Sequence, residues 1–363
     1  MKYIDEYRDG NLIRALEKKI RKEATGSYTF MEVCGGHTAA IHRFGIPSLL
    51  PPGITLLSGP GCPVCVTPVA LIDRAIGLAA RKDVIITSFG DLIRVPGSVS
   101  SLEKEKANGA DVRIVFSALE ALEIAEHNHG KKVVFMGIGF ETTAPGTAAA
   151  IIKAKELAIR NFFVLCAHKI MPPAMEAIIC DGTEINGFIC PGHVSTITGA
   201  GAFRFISDKY NLGCVISGFE PVDILMSVLM LVRQVNSRKF KTEIQYSRAV
   251  SMDGNMRAQK IMEEVFTLID HEWRGLGVIK MSGLEINDRY SDFDAAKVFK
   301  MNDLNETPHD NALCLCGEVL RGRKRPTDCR LFAGICTPEN PIGACMVSSE
   351  GACNAFYKYR RND

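Results

Sequence analysis

Residues 132–143 read KVVFMGIGFETT, and residues 144–160 continue as APGTAAAIIKAKELAIR. The first stretch has an uninterrupted apolar run and then glycines and polar residues, which is typical of a strand buried on both faces. The second stretch has apolar residues at helical spacing, which indicates a helix. A buried strand followed by a helix is the repeating unit of a parallel α/β sheet.

The same pattern recurs along the chain. Seven other apolar runs end in glycine or a polar turn, and they occupy residues 29–38, 53–65, 84–91, 113–117, 162–169, 187–193 and 213–221. We therefore predict an α/β fold with two parallel-sheet, Rossmann-like units and a third, mainly helical and irregular domain that is rich in cysteine. The predicted boundaries are residues 1–29 for an N-terminal helix that packs on the C-terminal domain, 30–130 and 131–235 for the two α/β domains, and 236–363 for the cysteine-rich domain.

Composition excludes several classes of protein. The chain has 363 residues, 47% of them hydrophobic, and a net charge of +2. This balance gives no overall field for nucleic acid or an anionic membrane. No apolar run is long enough to span a bilayer, and the N-terminus is charged throughout, so we expect a soluble cytoplasmic protein. The motifs of P-loop and dinucleotide-binding proteins are both lacking, so nucleotide binding is not predicted.

Cysteines are concentrated in the last fifty residues. Six of the thirteen lie there, in loops rich in glycine and proline, and they are Cys314, Cys316, Cys329, Cys336, Cys345 and Cys353. Such loops bury little apolar surface, so a bound metal is expected to hold them. In a reducing cytoplasm an odd number of cysteines indicates metal and redox chemistry rather than a disulfide framework.

Two kinds of metal site compete for these thiols. A structural zinc site favours paired ligands two to four residues apart, and only Cys314 and Cys316 are close, at a tighter spacing. A 4Fe-4S cluster tolerates wide, uneven spacing, and we favour it over zinc and over buried thiols that bind nothing. We predict Cys329, Cys336 and Cys353 as ligands and Cys316 as the fourth, with Cys314 and Cys345 as its rivals.

Cys34 leaves a predicted strand in the run Cys34-Gly35-Gly36-His37-Thr38. In parallel sheets, ligands bind beyond the carboxyl ends of the strands. The amino end of a helix and a nearby imidazolium would lower the pKa of this thiol, which makes Cys34 a candidate nucleophile or metal ligand. The alternative is a buried structural cysteine.

A second thiol motif, Cys62-Pro63-Val64-Cys65, follows the strand predicted at residues 53–58. Two thiols three positions apart at the start of a helix can form a disulfide, so the motif indicates a redox dithiol. Half of a zinc site is the alternative, although no partner C-x-x-C exists in the chain.

Other polar residues also follow predicted strands. They are Asp91, Arg94, Glu141, Thr142, Thr143, His168, Lys169, His193, Ser195 and Glu220. Each alone is as well explained as a cap or a satisfied buried group, but their shared placement marks the strand ends. The remaining cysteines, Cys166, Cys180, Cys190 and Cys214, are interpreted as packing residues.

Taken together, these motifs resemble a known family. CGGHT, GPGCPVC, SFGD, GFETT, PGHVS, GFEP and the tail that ends in CMVSSEGAC make the chain similar to HypD, a hydrogenase maturation factor, over nearly its full length. The resemblance implies two α/β domains and one domain with a 4Fe-4S cluster. It also implies a scaffold, formed with the small chaperone HypC, on which iron receives two cyanides and one carbon monoxide for nickel-iron hydrogenase, with HypE as the cyanide donor.

The resemblance assigns roles to individual residues. Cys34 would be the iron ligand, supported by His37, while Cys62 and Cys65 would pass electrons between the cluster and the cleft. We add Glu141 and His193 as candidate catalytic residues, and we expect a monomer when no partner is present. Two other functions stay open, a thiol-disulfide oxidoreductase fed by an iron–sulfur cluster and a zinc-stabilised binding protein.

Overall fold

The computed structural model describes residues 4–301 and 310–360. Its strands are β1 Tyr28–Glu32, β2 Ile54–Ser58, β3 Val84–Ser88, β4 Val112–Ile114, β5 Lys132–Gly137, β6 Phe162–Cys166, β7 Gly187–Cys190, β8 Gly213–Ile216, β9 Thr242–Ile244, β10 Phe266–Trp273 and β11 Gly277–Ile286. Its α-helices are α1 Gly10–Glu23, α2 Gly35–Arg43, α3 Ile46–Leu49, α4 Val69–Ala79, α5 Leu102–Ala107, α6 Ala118–Glu126, α7 Ala144–Glu156, α8 Met171–Cys180, α9 Gly192–Thr198, α10 Arg204–Tyr210, α11 Pro221–Ser237, α12 Met256–Val265, α13 Ala295–Val298, α14 Cys316–Leu320 and α15 Ala352–Arg360.

Two parallel sheets confirm the predicted fold class. The first, sheet A, has the strand order β2-β1-β7-β8-β9, and the second, sheet B, has the order β4-β3-β5-β6. All pairings within both sheets are parallel. Each of the eight predicted apolar runs overlaps a strand, because strands covered on both faces are largely apolar.

The sheets do not follow the predicted division of the chain. Sheet A joins β1 and β2 to β7, β8 and β9, while sheet B occupies the segment between them. The predicted boundary at residues 130 and 131 therefore falls inside sheet B, between β4 and β5. Since parallel strands are joined by crossovers, the chain can leave one sheet, complete another and return.

The N-terminal helix packs on sheet A rather than on the C-terminal domain, in contrast to the prediction. Leu16 and Ile20 of α1 are buried in one core with residues of α11. The carboxylate of Glu23 pairs with Arg233 of α11 at 2.7 Å. The apolar side of α1 is thus covered by α11.

The C-terminal third contains a β-hairpin where helix was expected. α12 ends at Val265, and β10 and β11 form an antiparallel pair from Phe266 onward. The hairpin bonds to the end of β6, where Leu284 N–H donates to the His168 carbonyl at 2.9 Å, and to the C-x-x-C loop, where Arg274 N–H donates to the Val66 carbonyl at 2.9 Å. It therefore ties sheet B to the loop that carries Cys62 and Cys65.

One core lies between sheet A, the hairpin and the C-terminal tail. It contains Met31 and Phe188 of sheet A, Trp273 of the hairpin, and the buried cysteines Cys62, Cys65, Cys336, Cys345 and Cys353. The C-x-x-C loop and the tail thus share one apolar interior. In the described ranges, no helix combines the length and the hydropathy that crossing a membrane requires.

Candidate functional site

Cys34 lies at the carboxyl end of β1 and caps the amino end of α2. The side chain is buried, and its Sγ atom is 3.9 Å from Nδ1 of His193. Burial, together with the smaller effect of the nearby Glu350 and Glu32 carboxyl groups, raises the pKa of the Cys34 thiol to about 12. The expectation of a lowered pKa is therefore wrong, because desolvation outweighs the helix terminus. In the absence of a metal ion, Cys34 is a protonated thiol.

Two histidines flank an aromatic ring beside Cys34. The Phe219 ring stacks on His193 at 3.9 Å between centroids and on His37 at 4.5 Å. Nε2 of His37 is 3.0 Å from the Gly218 carbonyl, so it carries the proton and donates. Burial lowers the pKa of His37 to about 4, and the ring is neutral at physiological pH. His37 thus supports the site through Phe219, while His193 faces the thiol.

Carboxyl groups approach Cys34 from two sides. Oε2 of Glu32 accepts from the Cys34 amide at 3.0 Å, and Oε1 accepts from the Thr38 hydroxyl at 2.5 Å. Burial raises the pKa of Glu32 to about 7. From the C-terminal tail, Glu350 packs so closely on Gly35 that a Cβ atom there would be 2.4 Å from the Glu350 Cβ. The tail therefore closes over the start of α2.

Cys62 and Cys65 are joined by a disulfide and are both buried. The motif lies in a turn between β2 and α4, and α4 begins only at Val69, so the expectation that it opens a helix is wrong. Within this turn, the Cys65 N–H donates to the Cys62 Sγ at 3.2 Å. Sγ of Cys65 is 3.9 Å from the carbonyl oxygen of Ala344 in the tail.

Gly61 joins the disulfide loop to Cys34. Its carbonyl accepts from the Gly35 amide at 2.9 Å. A Cβ atom on Gly61 would lie 2.1 Å from the Cys34 nitrogen, which no real contact allows. Only glycine therefore fits at the point where the two thiol loops meet.

Gly61→Ala is expected to destabilise the protein by about 2 to 4 kcal/mol, because the backbone of Cys34 cannot move aside without breaking its capping bonds. Gly77→Ala is the matched control. Gly77 lies on the exposed side of α4 with open space at its Cβ position, so alanine there should stabilise by about 0.5 to 1 kcal/mol. Urea unfolding measures both changes, and equal stabilities of the two variants would contradict the contact.

The tail thiols surround a small cavity. Its wall consists of Cys314, Cys316, Cys329, Cys336 and Cys353 together with Leu331, Phe332 and Met346. The Ile342 amide donates to the Cys336 Sγ at 3.3 Å. Cys345 is buried outside this wall, with its thiol directed at Cys316 and Cys353.

Thiolate sulfur in apolar surroundings is the donor set of an iron–sulfur cluster, so these residues fit one. Among the residues that the structure describes, no three His, Cys, Asp or Glu side chains are grouped closely enough to hold a metal ion. The cluster ligands Cys316, Cys329, Cys336 and Cys353 therefore stay a prediction.

Two other strand-end residues hold the tail in place. Oδ2 of Asp91 accepts from the Ser348 hydroxyl at 2.8 Å, and Arg94 donates to the Pro338 carbonyl. They anchor the tail to sheet B.

Among the cysteines interpreted as packing residues, Cys190 and Cys214 are buried with sulfurs 3.4 Å apart, whereas Cys180 is exposed.

Glu141 lies apart from Cys34, at the start of the helices that follow β5 and β6. One carboxyl oxygen accepts from the Met171 amide at 3.0 Å, and the other, Oε2, is buried without a partner. In the described parts of the chain, no hydrogen bond or ion pair connects it to Cys34, His37 or His193. Burial raises the pKa of Glu141 to about 7. A catalytic role for it stays a prediction.

The titration of Glu141 can be tested through stability. Between pH 4.5 and 7 the folded protein keeps the proton that the unfolded chain releases, so the stability from this group falls as pH rises. The glutamine of Glu141→Gln does not titrate. The free energy of unfolding of this variant, relative to that of the wild type, should therefore be about 2 to 3 kcal/mol more favourable to the variant at pH 8 than at pH 5. Urea unfolding at both pH values checks this. A stability difference between Glu141→Gln and the wild type that is the same at both pH values would contradict a buried acid.

Comparison with known proteins gives a consistent result. A model of the HypD family, described as the hydrogenase formation hypA family, matches residues 11–360. The hydrogenase maturation factor HypD2 of Bradyrhizobium diazoefficiens is 50% identical over 372 aligned positions, which cover 99% of this chain and 97% of the relative. A putative hydrogenase expression/formation protein of Methanocaldococcus jannaschii is 47% identical, covering 97% and 98%. HypD of Escherichia coli is 43% identical, covering 100% and 99%.

Proposed function

The chain belongs to the HypD family of hydrogenase maturation factors, and from this premise we propose that it holds iron while two cyanides and one carbon monoxide are attached for the active site of nickel-iron hydrogenase. The observation that supports the proposal is the placement of Cys34. A single buried thiol at a strand end lies against His193 on one side and the disulfide loop on the other. The tail with its cysteine-lined cavity packs over it.

Cys34 is the proposed iron ligand. Iron with cyanide and carbon monoxide ligands suits a soft thiolate donor, and a buried position keeps water away from the added ligands. The thiol must lose its proton when iron binds, because its pKa is far above neutrality. His193 Nδ1 lies 3.9 Å from the sulfur, and its proposed role is to orient the bound iron and its ligands. His37 holds His193 in place through the Phe219 stack.

Cys62 and Cys65 are the proposed electron store. Reduction of their disulfide takes two electrons and two protons and yields two thiols. The loop contacts Cys34 through Gly61 and the tail through Ala344, so it lies between the iron site and the tail cysteines. A cluster bound by Cys316, Cys329, Cys336 and Cys353 would supply electrons to this pair. Cys314 lines the same cavity and is the alternative to Cys316, whereas Cys345 lies outside the lining.

The proposal includes partners. A small chaperone of the HypC type would complete the iron coordination, and a HypE-type protein would donate cyanide. Both interactions, a cytoplasmic location and the monomeric state without partners stay predictions, as does the expectation of no nucleic acid or membrane partner.

A second function is supported by the disulfide. Because Cys62 and Cys65 are bonded and contact the tail, the chain could act as a thiol-disulfide oxidoreductase in which Cys34 is incidental. The two functions differ in their cargo. Only the assembly scaffold accumulates iron with cyanide and carbon monoxide.

Infrared spectroscopy distinguishes them. The chain is co-expressed with HypC-type and HypE-type proteins and isolated without oxygen. The scaffold proposal predicts stretching bands of iron-bound cyanide and carbon monoxide on the isolated complex. A complex that contains iron and sulfide but lacks these bands would favour the oxidoreductase, and a zinc protein without iron would reject both.

A further inference from the structure

β2 is an edge strand of sheet A, and its outer side is unpaired. The Gly53 carbonyl accepts from Tyr28 N–H, and Gly59 N–H donates to the Glu32 carbonyl, so the alternate residues from 53 to 59 face β1. Leu56 and Ser58 therefore direct their backbone groups away from β1. Within residues 4–301 and 310–360, no hydrogen bond reaches these groups. An open edge of this kind is a template for another strand.

A groove runs along this edge. It has a volume of about 310 Å³, and all five residues of β2 line it. The opposite wall includes Pro326, Ala352 and Phe356 of the tail. The groove is therefore bounded by an unpaired strand on one side and largely apolar side chains on the other, as required for an extended peptide.

The mouth of the groove is positively charged. Lys324 and Arg325 line it and are exposed, and neither has an ion-pair partner among the described side chains. The acidic residue of the lining, Glu32, is buried and already accepts from the Cys34 amide and the Thr38 hydroxyl. Two unpaired cations beside an open strand favour a segment that carries acidic side chains.

We propose that β2 and this groove bind an extended, acidic segment of a partner polypeptide as an additional strand of sheet A. Main-chain bonds to Leu56 and Ser58 supply affinity, and Lys324 and Arg325 select acidic side chains. The groove reaches Glu32, whose carboxylate holds the Cys34 amide, so the segment would end beside the Cys34 loop. This surface goes beyond the proposed function, and its test requires neither iron nor a cluster.

The test uses two fluorescent, end-blocked octapeptides, one of alternating valine and glutamate and one of alternating valine and lysine. Fluorescence anisotropy with the full-length chain should show binding of the glutamate peptide only. Leu56→Pro removes an outward N–H without removing a bond to β1, and it should weaken binding about tenfold. The double variant Lys324→Glu, Arg325→Glu should prefer the lysine peptide, whereas the control Lys239→Glu, exposed after α11, should bind as the wild type does.

Hydrogen exchange gives an independent check, since the amides of Leu56 and Ser58 should be protected when the glutamate peptide is bound. Equal binding of both peptides, no binding, or unchanged binding by the charge-reversed variant would overturn the proposal. Self-association of the chain that Leu56→Pro abolishes would also overturn it, because a second copy would then be the occupant of the edge.

Discussion

Replacing Cys34 with alanine is expected to remove the iron that carries cyanide and carbon monoxide, with the fold retained. The side chain is small and lies at the start of α2, where the capping bonds come from Glu32 and the backbone rather than from sulfur. The loss of stability should therefore be about 1 kcal/mol, while the thiolate that we propose as the ligand of the cargo iron disappears. The infrared bands of the co-expressed complex should fall to background, and hydrogenase maturation should fail.

Two controls separate loss of a ligand from loss of structure. Cys180→Ala removes an exposed cysteine at the end of α8 and should leave the bands unchanged. Circular dichroism and urea unfolding should show a folded Cys34→Ala protein. Bands of normal intensity in a folded Cys34→Ala complex would mean that another group holds the iron.

Replacing Cys336 is expected to have the largest effect on the tail. Cys336 lines the thiol cavity and accepts from the Ile342 amide, so Cys336→Ala should lose the cluster. Iron and acid-labile sulfide should fall from about four each per chain towards zero. Because metal binding stabilises loops that bury little apolar surface, the tail should also become sensitive to protease.

Cys214→Ala is the matched control for this result. Cys214 is a buried cysteine of β8 that contacts Cys190 and does not line the cavity, so its alanine variant should retain iron and sulfide. A loss of iron in Cys214→Ala as complete as in Cys336→Ala would contradict the assignment. For the fourth ligand, Cys316→Ala should lose iron and Cys314→Ala should keep it, and the reverse pattern would assign the position to Cys314.

Eight of the nine strands in the two parallel sheets could be predicted from the sequence, but β9 and the order of the strands could not. Apolar runs mark strands buried on both faces, and each of the eight is present in the structure. Nothing local indicates that β1 pairs with β7, because that contact joins residues more than a hundred positions apart. The hairpin was missed for a different reason. Phe266 and Trp273 are buried, but the residues between them are exposed or half-buried, so no clear two-residue period separates this strand from α12.

The residues of the candidate site likewise divide into those that the sequence predicts and those that only the fold reveals. Cys34, His193 and the disulfide loop were predicted from strand ends, since parallel strands direct their carboxyl ends to one edge of the sheet. Phe219 and Glu350 were missed. The Phe219 ring acts by stacking between two histidines, and Glu350 reaches Gly35 from an irregular tail more than three hundred residues away. Only the fold brings these side chains to Cys34, and no pattern near either residue indicates it.

The central claim is that one chain holds two separate iron sites, a cargo site at Cys34 and a cluster site in the tail. Mössbauer spectroscopy of the co-expressed complex, grown with iron-57 and isolated without oxygen, tests it most directly. The wild-type complex should show a low-spin iron signal together with a cluster signal, Cys34→Ala should lose only the first, and Cys336→Ala should lose the second. A low-spin signal that persists in Cys34→Ala, or the absence of a cluster signal from the wild type, would contradict the account.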